Sequence, residues 1–567
     1  MYLREKFVPS ILYIIMKRIN RITTIAAIFI VSILLLAFSS RRNFELSQQL
    51  SIFSNVIKDL EMFYVDTIQP KKLIKTGIDA MLRSLDPYTV YYPEEESSEL
   101  KLMITGKYAG VGSVIRYHED KKTTVIVEPY ENMPAAKAGL KIGDAILSVN
   151  GTDIHGMSTD SVSNMLRGEA GSTLILQIER PGVKKPMTVK LERATIALPP
   201  ITHYDILNDS IGYISLESFT EDCSKHMRRA VVDLKERGAR MFILDLRGNG
   251  GGSLVESINI VNLFVPKGKT IVTTKGKRKQ ANEEYKTTRE PLDTKSPLIV
   301  LVDGQSASAA EIVSGSLQDL DRAIIVGSRT FGKGLVQSTM NLPSNGNLKL
   351  TTSRYHIPSG RCIQALDYSH RDSQGAAQRI PDSLTNVFYT EAGREVRDGG
   401  GIRPDVEPSS EKLTTLLFYL AQDIGIFDYA NLYALKYKNI EPPHTFKISD
   451  EDYEKFKQFI IKSGFNYDMQ SSKILAQLKK MIELEGYSEI TAQEVEALEK
   501  KLQHNLEHDL NYFANEVKEL LNNEIILRYY GRNGAISHNL LFDKELDECY
   551  KLFADRERYN KILSPQQ

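Results

Sequence analysis

The chain has 567 residues, more than one ordinary domain holds, so roughly three or four structural units are expected. Its hydrophobic fraction of 42% and charged fraction of 25% are those of a globular protein, and its formal net charge is zero. A nucleic-acid binder of this size carries a basic excess, so that class is set aside. Three scattered cysteines, Cys223, Cys362 and Cys549, offer neither a metal spacing nor a disulfide framework.

At the N-terminus, Lys17, Arg18 and Arg21 precede Ile22–Phe38, which is apolar apart from Thr23, Thr24 and Ser32. A basic flank before such a run marks a signal peptide or a membrane anchor. Ala37-Phe38-Ser39 makes a poor cleavage site, so residues 1–40 are expected to be an uncleaved anchor, with a cleaved signal as the alternative. Either reading exports residues from Arg41 onward: into the periplasm, held at the inner membrane, or secreted if the segment is removed. Met16, just before Lys17-Arg18, is a plausible start.

Residues 41–102 read as helical and amphipathic, with Leu50, Phe53, Val56, Ile57 and Leu60 at helical spacing until Asp86-Pro87 breaks the pattern. The acidic run in YYPEEESSEL is a solvated first turn.

Residues 103–195 change character. Val125 and Val127 alternate in a strand, Pro134-Ala135-Ala136 opens a short helix, Ala145–Val149 is a strand, and Asn150-Gly151 is a tight turn. The run PAAKAGLKIGDAILSVNGTDI resembles a PDZ domain, a fold that clamps an extended C-terminal peptide as an added β-strand. The resemblance puts the carboxylate-binding loop at Tyr108, Ala109, Gly110, Val111 and Gly112, and the docking strand at Ser113–Ile115. The bland alternative is a small packed β-domain with no ligand.

Residues 196–409 alternate strand and helix, which implies crossover connections and an α/β core. Two unusual turns follow its apolar strands. One is RGNGGGS, which lacks the spacing of a P-loop but could turn backbone N–H groups toward an oxyanion. The other is GQSASAAEIVSGS, where Ser306 and Ser308 both sit at a strand-to-helix handover. A serine needs a base. His203, His226, His356 and His370 sit in no catalytic pattern, whereas Lys333 lies between Gly332 and Gly334 in an apolar stretch, where burial would favour a neutral amine. The residues alone do not choose between the two serines.

SASAAEIVSGSLQD, GSRTFGKGLVQ, LDLRGNGGG and GGGIRPDV, in that order and with the PDZ-like unit, resemble the carboxyl-terminal processing proteases, the tail-specific serine peptidases, over about residues 45–407. The resemblance implies a multidomain α/β protein: an α+β protease core similar to the crotonase-like fold, an inserted PDZ β-domain and a helical C-terminal extension over 410–567. It implies Ser308 as nucleophile, Lys333 as base and Gln337 as its assistant, leaving Ser306 as a turn residue. The oxyanion hole would be the backbone N–H groups of Gly252 and Ala309, with Gly251 as fallback, and Arg167 would gate the PDZ unit. Asp245 and Arg247 are expected to hold the loop. No cofactor is implied. The implied partners are proteins or peptides with accessible C-termini and a regulatory or adaptor protein.

Two other readings stand beside this one. A protease core that has lost activity would leave a PDZ scaffold. The sequence HNLEH, His504–His508, matches an inverted zinc-peptidase pattern, although both histidines lie off the apolar stripe Leu498, Leu502, Leu506, Leu510, Phe513, Val517 and Leu521. That stripe is read as continuous, and it needs either its own core or a second copy of the chain.

Overall fold

The computed structural model describes residues 44–373, 375–408, 414–502 and 505–564, so the expected anchor lies outside the described residues. Among those described, no helix is long and apolar enough to cross a membrane. The chain divides into two compact units, one up to Tyr91 and one from Tyr92 onward. In the first, a helix over 44–63 is followed by α1 (Pro70–Arg83), which Pro70 starts at a position where its missing N–H costs nothing.

The second unit opens with α2 (Ser97–Thr105) and the strand β1 (Lys107–Gly110). The PDZ sheet follows as β2 (Ser113–His118), β3 (Thr123–Pro129), β4 (Ala145–Val149), β5 (Thr173–Glu179) and β6 (Met187–Glu192), hydrogen-bonded in that order. β5 shows the alternating burial of a sheet with one wet face. β3 does not: Val125 and Ile126 are both fully buried, where alternation predicts only one of them inside. The cause is the C-terminal extension, whose Phe427 packs against Val125 and Ala145 on the sheet's second face.

The core sheet consists of β7 (Ile201–Leu207), β8 (Ile211–Leu216), β9 (Met241–Asp245), β10 (Leu298–Val302) and β11 (Ile324–Gly327), in that spatial order. β8 to β11 pair in parallel, and β7 closes the edge antiparallel. Helices α3 (Cys223–Glu236), α4 (Leu254–Phe264) and α5 (Ala309–Asp319) cover one face. The other face is covered by α6 (Lys544–Ala554) and α7 (Arg556–Leu563) through Leu546, Cys549, Leu552, Phe553 and Tyr559. Burial on both faces explains why every residue of β10 is apolar and buried. A second sheet, not anticipated from the sequence, joins the strand Thr270–Gly276 to a long hairpin, Leu335–Asn341 and Asn347–His356, that begins just past Lys333.

The tail is helical, but its apolar stripe is not continuous. Leu498 lies on the helix Ser488–Lys501 and is exposed, whereas Leu510, Val517 and Leu521 are buried on the separate helices Leu506–Tyr512 and Ala514–Asn539. The breaks are local: Asn505 caps the second helix by accepting the His508 N–H, and Phe513 leaves helical geometry at φ −100°, ψ 28°.

Candidate active site

Parallel α/β sheets present their loops at the carboxyl ends of the strands, and three such loops meet here. They are Leu246–Ser253 after β9, Asp303–Ser308 after β10 and Ser328–Gly334 after β11. The first two are joined by the Ala307 N–H donating to the Asn249 carbonyl at 2.9 Å, and the second and third by the Phe331 N–H donating to the Ser306 carbonyl at 3.0 Å.

Ser308 is the last residue before α5 and adopts φ 54°, ψ −111°, a conformation that L-residues avoid and that a surrounding structure must impose. Ser306 is in a different situation. Its hydroxyl is fully buried, donates to the Leu246 carbonyl at 2.8 Å and accepts the Asp303 N–H at 2.9 Å. That hydroxyl ties two loops together.

Glu311, one turn into α5, was not singled out from the sequence. Its carboxylate is completely buried and accepts four hydrogen bonds: from the Ser308 N–H (2.8 Å), the Thr330 hydroxyl (2.6 Å), the Gly332 N–H (2.7 Å) and the Lys333 N–H (2.8 Å). Burial pushes its pKa up to about 7 even against these four donors. The only hint in the sequence was a glutamate three residues after a serine at a helix start, the spacing of a capping box.

Glycines let the loops approach. A Cβ on Gly251 (φ 96°) would sit 2.6 Å from the Ala307 carbonyl oxygen and 2.8 Å from the Ser308 Cβ; one on Gly252 (φ 144°) would sit 2.4 Å from the Phe219 carbonyl oxygen. The Gly251 N–H donates to Asn249 Oδ1 at 2.8 Å. Among the described residues, no acceptor meets the N–H of Gly252 or of Ala309, the latter at the N-terminus of α5. Gln337 lies on the strand after Lys333, its amide donating to the Thr351 hydroxyl at 3.2 Å. The GGGIRPDV segment braces the third loop and the strand before it: the Ile402 N–H donates to the Thr330 hydroxyl at 2.7 Å, and Asp405 accepts the N–H of Ile325 on β11 at 2.8 Å.

Asp245 and Arg247 do hold the loop, and more. Arg247 clasps Asp245 and reaches Asp543 and Glu545 at 2.6 Å each, so it moors α6 to the base of the glycine loop. The histidines lie elsewhere: the His356 ring meets the Gly360 carbonyl at 3.0 Å, and His370 sits on an exposed hairpin beside Asp367. His504 is outside the described residues, and His508 is exposed with its ring near Tyr512. Among the described residues, no three His, Cys, Asp or Glu side chains gather in a metal-holding arrangement.

In the PDZ unit, β2 is an edge strand, with unpaired backbone groups open to an added strand. Val111 is buried, its carbonyl held by the Ala135 N–H at 2.8 Å. Gly112 has φ 71°, with space for a Cβ taken by Met133 at 2.6 Å. The Arg167 guanidinium lies 5.6 Å from the Tyr108 ring centre, directly beside the loop. Burial raises the Tyr108 phenol pKa, opposed by Arg167 and by a hydrogen bond from Gly112.

Comparison with known proteins agrees with this assembly. Residues 210–368 match Peptidase family S41, residues 125–180 match a PDZ domain, and residues 416–553 match the family described as "Probable PDZ-protease, C-terminal helical domain". The chain is 35% identical over 349 residues to a carboxy-terminal-processing protease of Bartonella bacilliformis, covering 60% of this chain and 79% of the relative. It is 33% identical to the carboxy-terminal processing protease CtpA of Bacillus subtilis, covering 53% of this chain and 63% of that one. Among solved structures it is similar to the photosystem II D1 C-terminal processing protease, at 28% identity and a TM-score of 0.33, covering 58% of this chain and 91% of that one. The chain belongs to the carboxyl-terminal processing proteases of peptidase family S41, serine-type peptidases that here combine an α/β core with a PDZ domain and a helical C-terminal domain.

Proposed function

We propose that Ser308 and Lys333 form a Ser-Lys dyad that cleaves peptide bonds through an acyl-enzyme. Neutral Lys333 Nζ takes the Ser308 Oγ proton as Oγ attacks the scissile carbonyl carbon. The N–H groups of Gly252 and Ala309 hold the tetrahedral oxyanion. The lysine then gives its proton to the leaving amine and later takes one from the water that releases the acyl group. Gln337 positions the lysine. The observation that carries this reading is the single Glu311 carboxylate bonded to the backbone of both Ser308 and Lys333. The engaged hydroxyl of Ser306 favours Ser308 as the attacking group.

The PDZ unit binds the substrate's free C-terminus at Tyr108–Gly112, the peptide adding along Ser113, and Arg167 senses its presence. Residues 22–38, with their basic flank, support action in the cell envelope, with the peptidase outside the cytoplasm. The test is cleavage of a protein substrate with an apolar tail, compared with the same substrate C-terminally amidated. Amidation is expected to lower kcat/KM at least about tenfold, the value of one charge-assisted contact. Equal cleavage of both would refute C-terminal recognition, and peptide binding without any cleavage would leave an inactive scaffold.

A further inference from the structure

The peptide that joins Ser308 to Ala309 combines a strained torsion with an open donor. Ser308 stands at φ 54°, ψ −111°, outside the regions that L-residues populate. Its ψ sets the plane of that peptide, and a trans peptide points its C=O and N–H in opposite directions. Whatever holds the Ser308 carbonyl therefore aims the Ala309 N–H. Two groups hold it. The Ile312 N–H donates to it at 2.9 Å, the first bond of α5, and the Tyr355 hydroxyl donates to it at 3.2 Å.

Tyr355 comes from the second sheet, far from α5 in the chain. Its side chain is buried, and among the described residues its hydroxyl has no other partner. Its strand, Asn347–His356, is paired on both sides, with Leu335–Asn341 and with Thr270–Gly276, so the ring stands on a fixed platform. Its backbone N–H donates to the Gly334 carbonyl at 3.0 Å, next to Lys333. One residue of the second sheet thus touches the backbone of both the serine loop and the lysine loop, as Glu311 does from α5. Burial above all, with Glu311 adding to it, pushes the phenol well above its ordinary pKa, so it stays a donor at any working pH. We propose that Tyr355 is a positioning residue of the oxyanion hole: its hydroxyl holds the Ser308–Ala309 peptide so that the Ala309 N–H faces the developing oxyanion. Tyr355 has this role only if Ser308 is the nucleophile, so the role rests on the proposed dyad. The contact is longer than the usual range of roughly 2.5–3.0 Å, and catalytic contacts of this kind tighten in the transition-state complex, so its loss is felt there and not in substrate binding.

The test is Tyr355→Phe in the full chain in detergent, which removes the hydroxyl and keeps the buried ring. With an apolar-tailed protein substrate, kcat is expected to fall roughly five- to tenfold, the value of one neutral hydrogen bond, with KM unchanged. The second readout sets an apolar peptide aldehyde against the matching peptide alcohol. Ser308 Oγ adds to the aldehyde's carbonyl carbon and leaves an oxygen in the oxyanion hole, whereas the alcohol forms no such adduct. The variant is expected to weaken the aldehyde by the same factor as kcat and to leave the alcohol unmoved. Both inhibition constants are read in one preparation, so their ratio does not depend on how much of the variant is folded. Equal weakening of both ligands, or of neither, in a chain whose Ser308→Ala variant is inactive, overturns the role of Tyr355 and leaves the dyad standing. Cleavage by a folded Ser308→Ala variant overturns the dyad, and the role of Tyr355 with it.

Discussion

Glu311 Oε2 accepts the backbone N–H of Lys333 at 2.8 Å, and the same oxygen accepts the N–H of Ser308 at 2.8 Å. A buried carboxylate thus sets the spacing of two loops that are distant in sequence. All three N–H groups around it can only donate, so an ionised Glu311 fits the site and a protonated one loses acceptor capacity.

Glu311→Gln is therefore expected to lower kcat by roughly one to two orders of magnitude with little change in KM, since a buried charge-assisted contact is worth about 1.5–3 kcal/mol. With its pKa raised to about 7, the wild type should lose activity as pH falls through 7, and the variant should lose that acid limb. An unchanged limb in the variant would assign it to Lys333 instead. The stability effect has the opposite sign. Because the folded pKa lies above the unfolded value of 4.5, the protonated group favours the fold below pH 4.5, and this contribution is lost as pH rises through 7.

Gly251→Ala should remove activity by at least about a hundredfold, the value of an oxyanion-hole donor. The added methyl meets the Ala307 carbonyl and the Ser308 Cβ below 3 Å, so the glycine loop must withdraw from Ser308. A variant that cleaves normally would place the oxyanion hole elsewhere.

Arg247→Ala should unmoor the tail. It leaves Asp245, Asp543 and Glu545 facing one another with no shared cation, at a cost of about 3–5 kcal/mol for a broken buried network. Thermal unfolding should show α6 and α7 releasing first, read as earlier amide exchange in residues 544–563 than in β10. Simultaneous exchange would show that apolar contacts alone hold the tail.

In the PDZ unit, Gly112→Ala should weaken binding of a C-terminal peptide at least about tenfold, because φ 71° and the Met133 side chain leave no room for a methyl without moving the loop. Cleavage of an unfolded substrate at saturating concentration should survive. A loss of peptide binding without any loss of proteolysis at low substrate would separate the PDZ unit from substrate capture.

The sequence was most legible where local chemistry is repetitive. The parallel strands announced themselves as apolar runs, and the turns at Gly251-Gly252 and at Ser306–Ser308 as compositions that ordinary packing does not use. Glu311 was less visible because its partners come from Thr330, Gly332 and Lys333, contacts that one helix's pattern cannot reveal. The tail was least legible. Leu498 to Leu521 share one helical period, yet the capping by Asn505 and the break at Phe513 divide them among three helices with different neighbours. That Phe427 would bury the second face of β3, and that α6 would cover the core sheet, depends on contacts across hundreds of residues.

The most direct test is cleavage of an apolar-tailed protein substrate by wild type, Ser308→Ala, Lys333→Ala and Ser306→Ala, with the folding of each variant checked by thermal melting. The account predicts no cleavage by Ser308→Ala or Lys333→Ala at wild-type melting temperatures. It predicts that Ser306→Ala cleaves but melts lower, having lost a buried hydroxyl worth about 1–3 kcal/mol. Cleavage by a folded Ser308→Ala variant, or its loss in a stably folded Ser306→Ala variant, would contradict it.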